Sequence, residues 1–165
     1  MHKRVIVIAQ RLYFLVDFLG ESDKTQKDLE GYYFPSTYVL PLDASGEEVK
    51  DKMIETFNKK VVNGTTAQSS TLSKDKVSVD TALKVASLIQ REAAGKHDMN
   101  LISGIIWNRI FKGMKLQVDA TLQYAKGSEE DGWWEEVTPA DKKIDSPYNT
   151  YKYAGLPPGP ICNPS

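Results

Sequence analysis

The sequence predicts an α+β fold: helices packed on a small mixed or antiparallel sheet, with an irregular C-terminal region that forms a cleft. Three observations lead there. Residues 29 to 41, Leu-Glu-Gly-Tyr-Tyr-Phe-Pro-Ser-Thr-Tyr-Val-Leu-Pro, are dominated by aromatic and β-branched side chains and bounded by Gly and Pro, as short strands and turns require. Three later segments repeat apolar residues at helical spacing. From Leu116 onward no period survives. The 165 residues, 41% apolar and 10% aromatic, suffice for a buried core. The chain divides into an entry part, residues 1–76, and a chemical part, residues 77–165.

Taken in order, Val5 to Leu19 is apolar but broken by Gln10, Arg11 and Asp17, so it falls short of the ~20 apolar residues that span a membrane. It also lacks the cleavage pattern of a signal peptide. A core strand followed by an amphipathic helical segment is the reading, and any export or anchoring signal is expected to lie outside this sequence. Gly20 to Lys27 is loop-like. Ser45 with Glu48 forms a capping box that opens a helix over 45–63, carrying Val49, Met53, Phe57 and Val61 to a stop at Gly64. Thr65 to Lys76 is a polar surface connection. A second helix over 80–94 takes Asp80 as N-cap and Ala82, Val85, Ala86, Ile89 and Ala93 as its stripe. A third over 98–112 carries Leu101, Ile102, Ile105, Ile106 and Ile110 to Gly113. Asp119 is placed to cap a short helix that Gly127 ends.

Composition removes several function classes. With 21 basic and 22 acidic residues there is no positive field to neutralise phosphates, so nucleic acid is not an expected partner. Cys162 is the one cysteine, which excludes an intramolecular disulfide and a paired-cysteine zinc site. His2 and His97 lie far apart without a carboxylate cluster, so no metal is expected, nor any cofactor. Neither a Gly-rich phosphate loop nor a serine-nucleophile elbow is present.

Glu92 is the candidate catalytic residue. It follows Val85, Leu88 and Ile89 along one line of its helix, so its carboxyl is expected to be partly desolvated, which would favour the proton-bearing form that a general acid needs. The competing reading has Glu92 reach water at the helix end or pair with Arg91 or Lys96. Downstream, Gln117, Asp119, Thr121, Tyr148, Asn149, Thr150 and Tyr151, with Tyr153, combine short hydrogen-bonding groups with aromatic rings. Sugars are bound by that mixture, rings against C–H faces and amides or hydroxyls against hydroxyls. Singly, each also has a structural reading: Asp119 as a cap, Tyr148 and Tyr151 as packing, Asn149 as a turn former. Trp133-Trp134 is either a sugar platform or a core anchor. Gly155-Leu156-Pro157-Pro158-Gly159-Pro160 must be a stiff loop.

These stretches together resemble the YceG-like (MltG) family of endolytic peptidoglycan transglycosylases. The resemblance rests on residues 29–38, on Ala86-Ser87-Leu88-Ile89-Gln90-Arg91-Glu92, on Asn108-Arg109 with residues 113–121, and on residues 145–151 leading through 155–161 to Asn163-Pro164. It implies non-hydrolytic cleavage between N-acetylmuramic acid and N-acetylglucosamine within peptidoglycan strands, leaving 1,6-anhydro-muramyl ends. Glu92 would first protonate the leaving oxygen and then take the proton of the attacking C6 hydroxyl, while Asp119 positions. Gln117, Thr121, Tyr148, Asn149, Thr150 and Tyr151 would bind the glycan with it. The family also implies work at the extracytoplasmic face of the cell membrane, beside the cell-wall synthesis machinery, through an anchor this sequence does not carry. Gln90 departs from the glutamate that many members hold there. Two other readings stay open: a silent glycan-binding module, and a hydrolase using Glu92 and Asp119 as its carboxylate pair.

Overall fold

A computed structural model describes residues 4–8, 29–63, 77–128 and 132–164. The predicted amphipathic helical segment before Gly20 and the connection over 65–76 lie outside the described residues. The chain forms two compact units, Met1–Val79 with Asn163–Ser165, and Asp80–Cys162.

In the first unit β1 (Arg4–Ile8) pairs antiparallel with β2 (Thr37–Pro41), Ile6 opposite Val39. The small sheet is thus antiparallel and two-stranded among the described residues. Alternation along β2 buries Tyr38 and Leu40 and leaves Thr37, Val39 and Pro41 outside. Those two side chains pack with Val49 and Met53 of α1 (Gly46–Phe57) and with Tyr33. The capping box is formed as read: the Glu48 N–H donates to Ser45 Oγ at 3.2 Å and the Ser45 N–H to Glu48 Oε2 at 2.7 Å. Beyond Phe57 the helix widens into a π turn over Asn58–Val62. Gly31 sits in the left-handed region, φ 89°, and its N–H and that of Tyr33 both donate to Asn163 Oδ1, at 2.8 and 3.2 Å. One side chain from the far end of the sequence therefore ties the turn that opens the Tyr-rich stretch.

The second unit contains α2 (Val79–Glu92), α3 (Lys96–Phe111), α4 (Asp119–Lys126) and a 3-10 turn over Asp141–Lys143. Its core gathers Val85, Leu88, Ile106, Leu116, Val118, Ala120, Tyr124 and Ile161. No strand longer than an isolated bridge contributes among the described residues. The fold class is α+β: within the first unit the predicted helix packs on the sheet, and within the second α2 and α3 pack on irregular chain.

Several boundaries move, each for a local reason. Asp80 is not the cap of α2 but lies within its first turn, where it pairs with Lys84 at 2.7 Å. The helix ends at Glu92, before Ala93, and its buried face is Leu83, Val85, Ser87 and Leu88, with Ala82 outside. Ser87 belongs on that face because it accepts the Ile161 N–H at 3.1 Å, fixing the end of the proline-rich loop. In α3 only Ile106 is buried; Leu101 and Ile105, read as stripe, are 67% and 46% exposed. Apolar residues surround that helix, so periodicity does not single out one side. It closes as expected at Gly113, φ 63°, where the N–H groups of Gly113 and Met114 reach back to Ile110 and Arg109 carbonyls at 3.0 and 2.8 Å. Gly127 ends α4 for a different reason than a left-handed turn: a Cβ there would stand 2.4 Å from the Trp133 ring.

The turn before the 3-10 segment is held by Asp141, whose Oδ2 accepts the Thr138 N–H at 2.7 Å, the Thr138 hydroxyl at 2.9 Å and Lys126 at 3.0 Å. These donors, the Thr138 amide first, hold the Asp141 carboxyl below its ordinary 3.8. A depressed carboxyl stabilises above its unfolded value and loses that contribution as pH falls through its folded one. Asp141→Asn is therefore expected to lower the urea midpoint at neutral pH, with the two proteins converging once the medium is acid enough to protonate Asp141. Midpoints measured across pH 2 to 7 check this; a constant gap would refute it.

Candidate active site

Glu92 is the last residue of α2, and that position decides its surroundings. The apolar line of Val85 and Leu88 runs into the core, but the helix ends where the line reaches Glu92, and the side chain is exposed. The expected desolvation is absent. Instead Oε1 faces the Ala120 N–H at 3.5 Å, the second residue of α4, so the carboxylate stands where an N-terminus favours negative charge. Neither Arg91 nor Lys96 forms an ion pair with it among the described residues.

Asp119 is the first residue of α4 and makes no cap; Val118 holds the cap position. With its side chain free of that duty, Asp119 accepts the hydroxyl hydrogen of Tyr151. Burial first, then this carboxylate and next the charge of Glu92, push the Tyr151 phenol up from 10.0 to about 12, with Arg109 opposing. Three charged side chains, Asp119, Glu92 and Arg109, hence act on one hydroxyl. The raised value means that Tyr151 remains a donor across neutral and alkaline pH, and that its contribution to stability, complete below 10.0, is lost as pH rises through about 12. Difference titration of wild type against Tyr151→Phe is expected to isolate one phenol ionising last, and above pH 10 the wild type is expected to lose stability that the variant keeps. A phenol ionising at 10.0 would contradict the geometry.

Three residues read as glycan contacts are placed otherwise. Thr121, Asn149 and Thr150 are 0%, 0% and 2% exposed, and their polar atoms are spent internally. The Val118 N–H donates to Thr150 Oγ1 at 3.0 Å, the two threonine hydroxyls meet at 2.9 Å, and Thr121 Oγ1 donates to the Val118 carbonyl at 2.7 Å. This circuit satisfies both backbone groups of the residue before Asp119. Asn149 donates to the Lys142 and Ile144 carbonyls at 3.1 and 2.8 Å and accepts the Tyr151 and Lys152 N–H groups at 3.0 and 3.1 Å. These are framing residues: one sets Asp119 and the other sets Tyr151. Tyr148 is half-buried, its ring 4.9 Å from that of Tyr124 and its hydroxyl packed against Gly159. Gln117 is exposed in a left-handed conformation, φ 54°, its N–H donating to the Thr150 carbonyl at 3.1 Å. Near Glu92, then, stand exposed Asp119 and a partly open Tyr151, while Gln117 is exposed on the run that leads into α4.

Two arginines make contacts other than those read from the sequence. Arg109 donates to the Leu116 carbonyl, holding the strand-like run into the site. Arg91 lies with its guanidinium carbon 3.6 Å from the centroid of the Trp134 ring. Both contacts cross loops and have no periodic mark; only the quoted motif stretches pointed at these positions.

The model of the YceG-like family matches residues 4–165. An endolytic murein transglycosylase of Bacillus subtilis (strain 168) is 45% identical over 136 residues, covering 82% of this chain and 36% of that protein. One from Streptococcus pneumoniae serotype 2 (strain D39 / NCTC 7466) is 37% identical over 139 residues, 83% of this chain and 24% of that protein. The chain thus spans about a third or less of the curated relatives it matches. A crystal structure of a yceG-like protein from Listeria monocytogenes superposes with a TM-score of 0.73 at 36% identity, covering 90% of this chain and 46% of that one.

Proposed function

Since the chain belongs to the YceG-like family, we propose that it carries the catalytic centre of an endolytic lytic transglycosylase acting on peptidoglycan, with Glu92 as the one acid/base. The observation that carries this reading is an exposed carboxylate fixed at a helix N-terminus, beside a Tyr151 hydroxyl already committed to Asp119. In the first half of the reaction Glu92 gives its proton to the glycosidic oxygen as the bond from the muramyl anomeric carbon breaks. In the second it takes the proton of the C6 hydroxyl as that oxygen bonds to the same carbon, closing the anhydro ring. The nucleophile belongs to the substrate, so no second carboxylate has to hold a water. Asp119 positions Tyr151, and Tyr151, Gln117 and Tyr148 face the sugars. A glycan lying over Glu92 would supply the desolvation that the unbound site lacks.

Asp119 is engaged by Tyr151, which favours this reading over a hydrolase that would need it as a free base. No helix among the described residues is long and apolar enough to cross a membrane, and no cluster of metal-binding side chains is found among them. Work at the extracytoplasmic face of the cell membrane, beside the cell-wall synthesis machinery, is the setting we propose from the family. Mass spectrometry of soluble products from purified peptidoglycan tests the reaction. Muramyl ends lacking one water are expected; hydrated reducing ends would instead indicate the hydrolase, and a folded chain that binds without releasing products would indicate the binding module.

A further inference from the structure

We propose that Arg91, its guanidinium carbon 3.6 Å from the centroid of the Trp134 ring, is a carboxylate-binding site beside Glu92 that selects glycan bearing acidic peptide stems; this rests on the peptidoglycan reading above. The platform is unusually well determined. Trp134 holds a left-handed backbone, φ 69°, which a bulky side chain adopts only when its surroundings impose it. Gln123 imposes it, its Nε2 donating to the Trp134 carbonyl at 3.1 Å and the Glu135 carbonyl at 2.9 Å. The neighbouring Trp133 fills the space a Cβ on Gly127 would need, so this loop lies tight against the end of α4.

The location follows from α4. Arg91 directly precedes Glu92 at the end of α2. The Ala120 N–H in the first turn of α4 faces the Glu92 carboxylate, and Gln123, one turn further along α4, holds the loop under Arg91. Arg91 itself is exposed and makes no hydrogen bond or ion pair among the described residues. Stacking occupies the face of a guanidinium and leaves the N–H groups on its edge, a planar fork matched to two carboxylate oxygens. An unengaged fork on the residue next to the acid/base is suited to a carboxylate carried on a muramyl substituent, not to a neutral hydroxyl.

Binding of defined glycan fragments, with the stem carboxylates free or converted to carboxamides, tests this in the Glu92→Gln background, where turnover does not interfere. Arg91→Gln is expected to weaken binding of fragments with free stem carboxylates by tenfold or more and of amidated fragments by less than twofold. Arg91→Lys is expected to recover little, because a point charge neither stacks nor forks, and Trp134→Leu to reproduce much of the loss. Equal losses on both fragments, no loss on either, full recovery by lysine, or a parent protein indifferent to amidation of the stems would each overturn the site. Product analysis of the wild type separates the two proposals. Stem selectivity without anhydro products would sink the lyase and keep the carboxylate site, and anhydro products without stem selectivity would do the reverse.

Discussion

Glu92→Gln is expected to abolish anhydro-muramyl product while leaving the fold intact. In the proposed mechanism one side chain serves both proton transfers, so its loss should reach or exceed the upper end of the ~10²–10⁴-fold typical of a single acid/base group. The stability change should stay within about 0.5 kcal/mol. Glu92 is exposed, its one amide partner is 3.5 Å away, and the glutamine oxygen can still accept from it. Initial rates on purified peptidoglycan, paired with a thermal melt, check both halves. Residual turnover within tenfold of wild type would remove Glu92 from the mechanism and turn attention to Asp119.

The largest stability effect is expected at Asn149. Its carboxamide makes four hydrogen bonds to backbone groups of residues 142, 144, 151 and 152 while itself fully buried. Alanine removes the partner of the Lys142 and Ile144 carbonyls and of the Tyr151 N–H at once, while the Lys152 N–H keeps the Asn149 carbonyl at 3.1 Å. Each buried orphan costs about 1–3 kcal/mol, with relaxation and water returning some, so about 3 kcal/mol or more is expected in denaturant unfolding. Aspartate should do no better, because it restores the acceptor but turns an anion toward the Lys142 and Ile144 carbonyls. Activity should fall with stability, since Thr150 and Tyr151 follow directly. A variant that unfolds like wild type would show that water replaces the amide in full.

What could be read from the residues was what is settled locally. The Ser45–Glu48 box and the Gly113 stop depend on side chains within a few positions of one another, and both formed as expected. Glu92 sits on the line drawn for it, yet its exposure depends on where α2 stops, which spacing does not encode. The apolar surround of α3 left its buried side undecided. Thr121, Asn149 and Thr150 show the opposite limit: a short polar residue in irregular chain is equally fit to hold a sugar or to hold the backbone. Contacts across about 30 residues made the two threonines framework, and bonds to backbone within seven residues did the same for Asn149. Tyr151 with Asp119, and Arg91 with Trp134, are likewise meetings of distant chain, invisible to any window.

The bond from Asn163 to Gly31 and Tyr33 also bears on how the molecule is made. The first unit is interrupted in sequence by the second, from Asp80 to Cys162, and its Tyr-rich turn is completed only by a side chain about 130 residues downstream. As the polypeptide emerges from the ribosome, the Tyr-rich turn is synthesised early but lacks a partner for two amides until Asn163 follows. The opening turn should therefore be the last part to gain protection from hydrogen exchange, and the slow, high-contact-order step of folding belongs to the segment synthesised first.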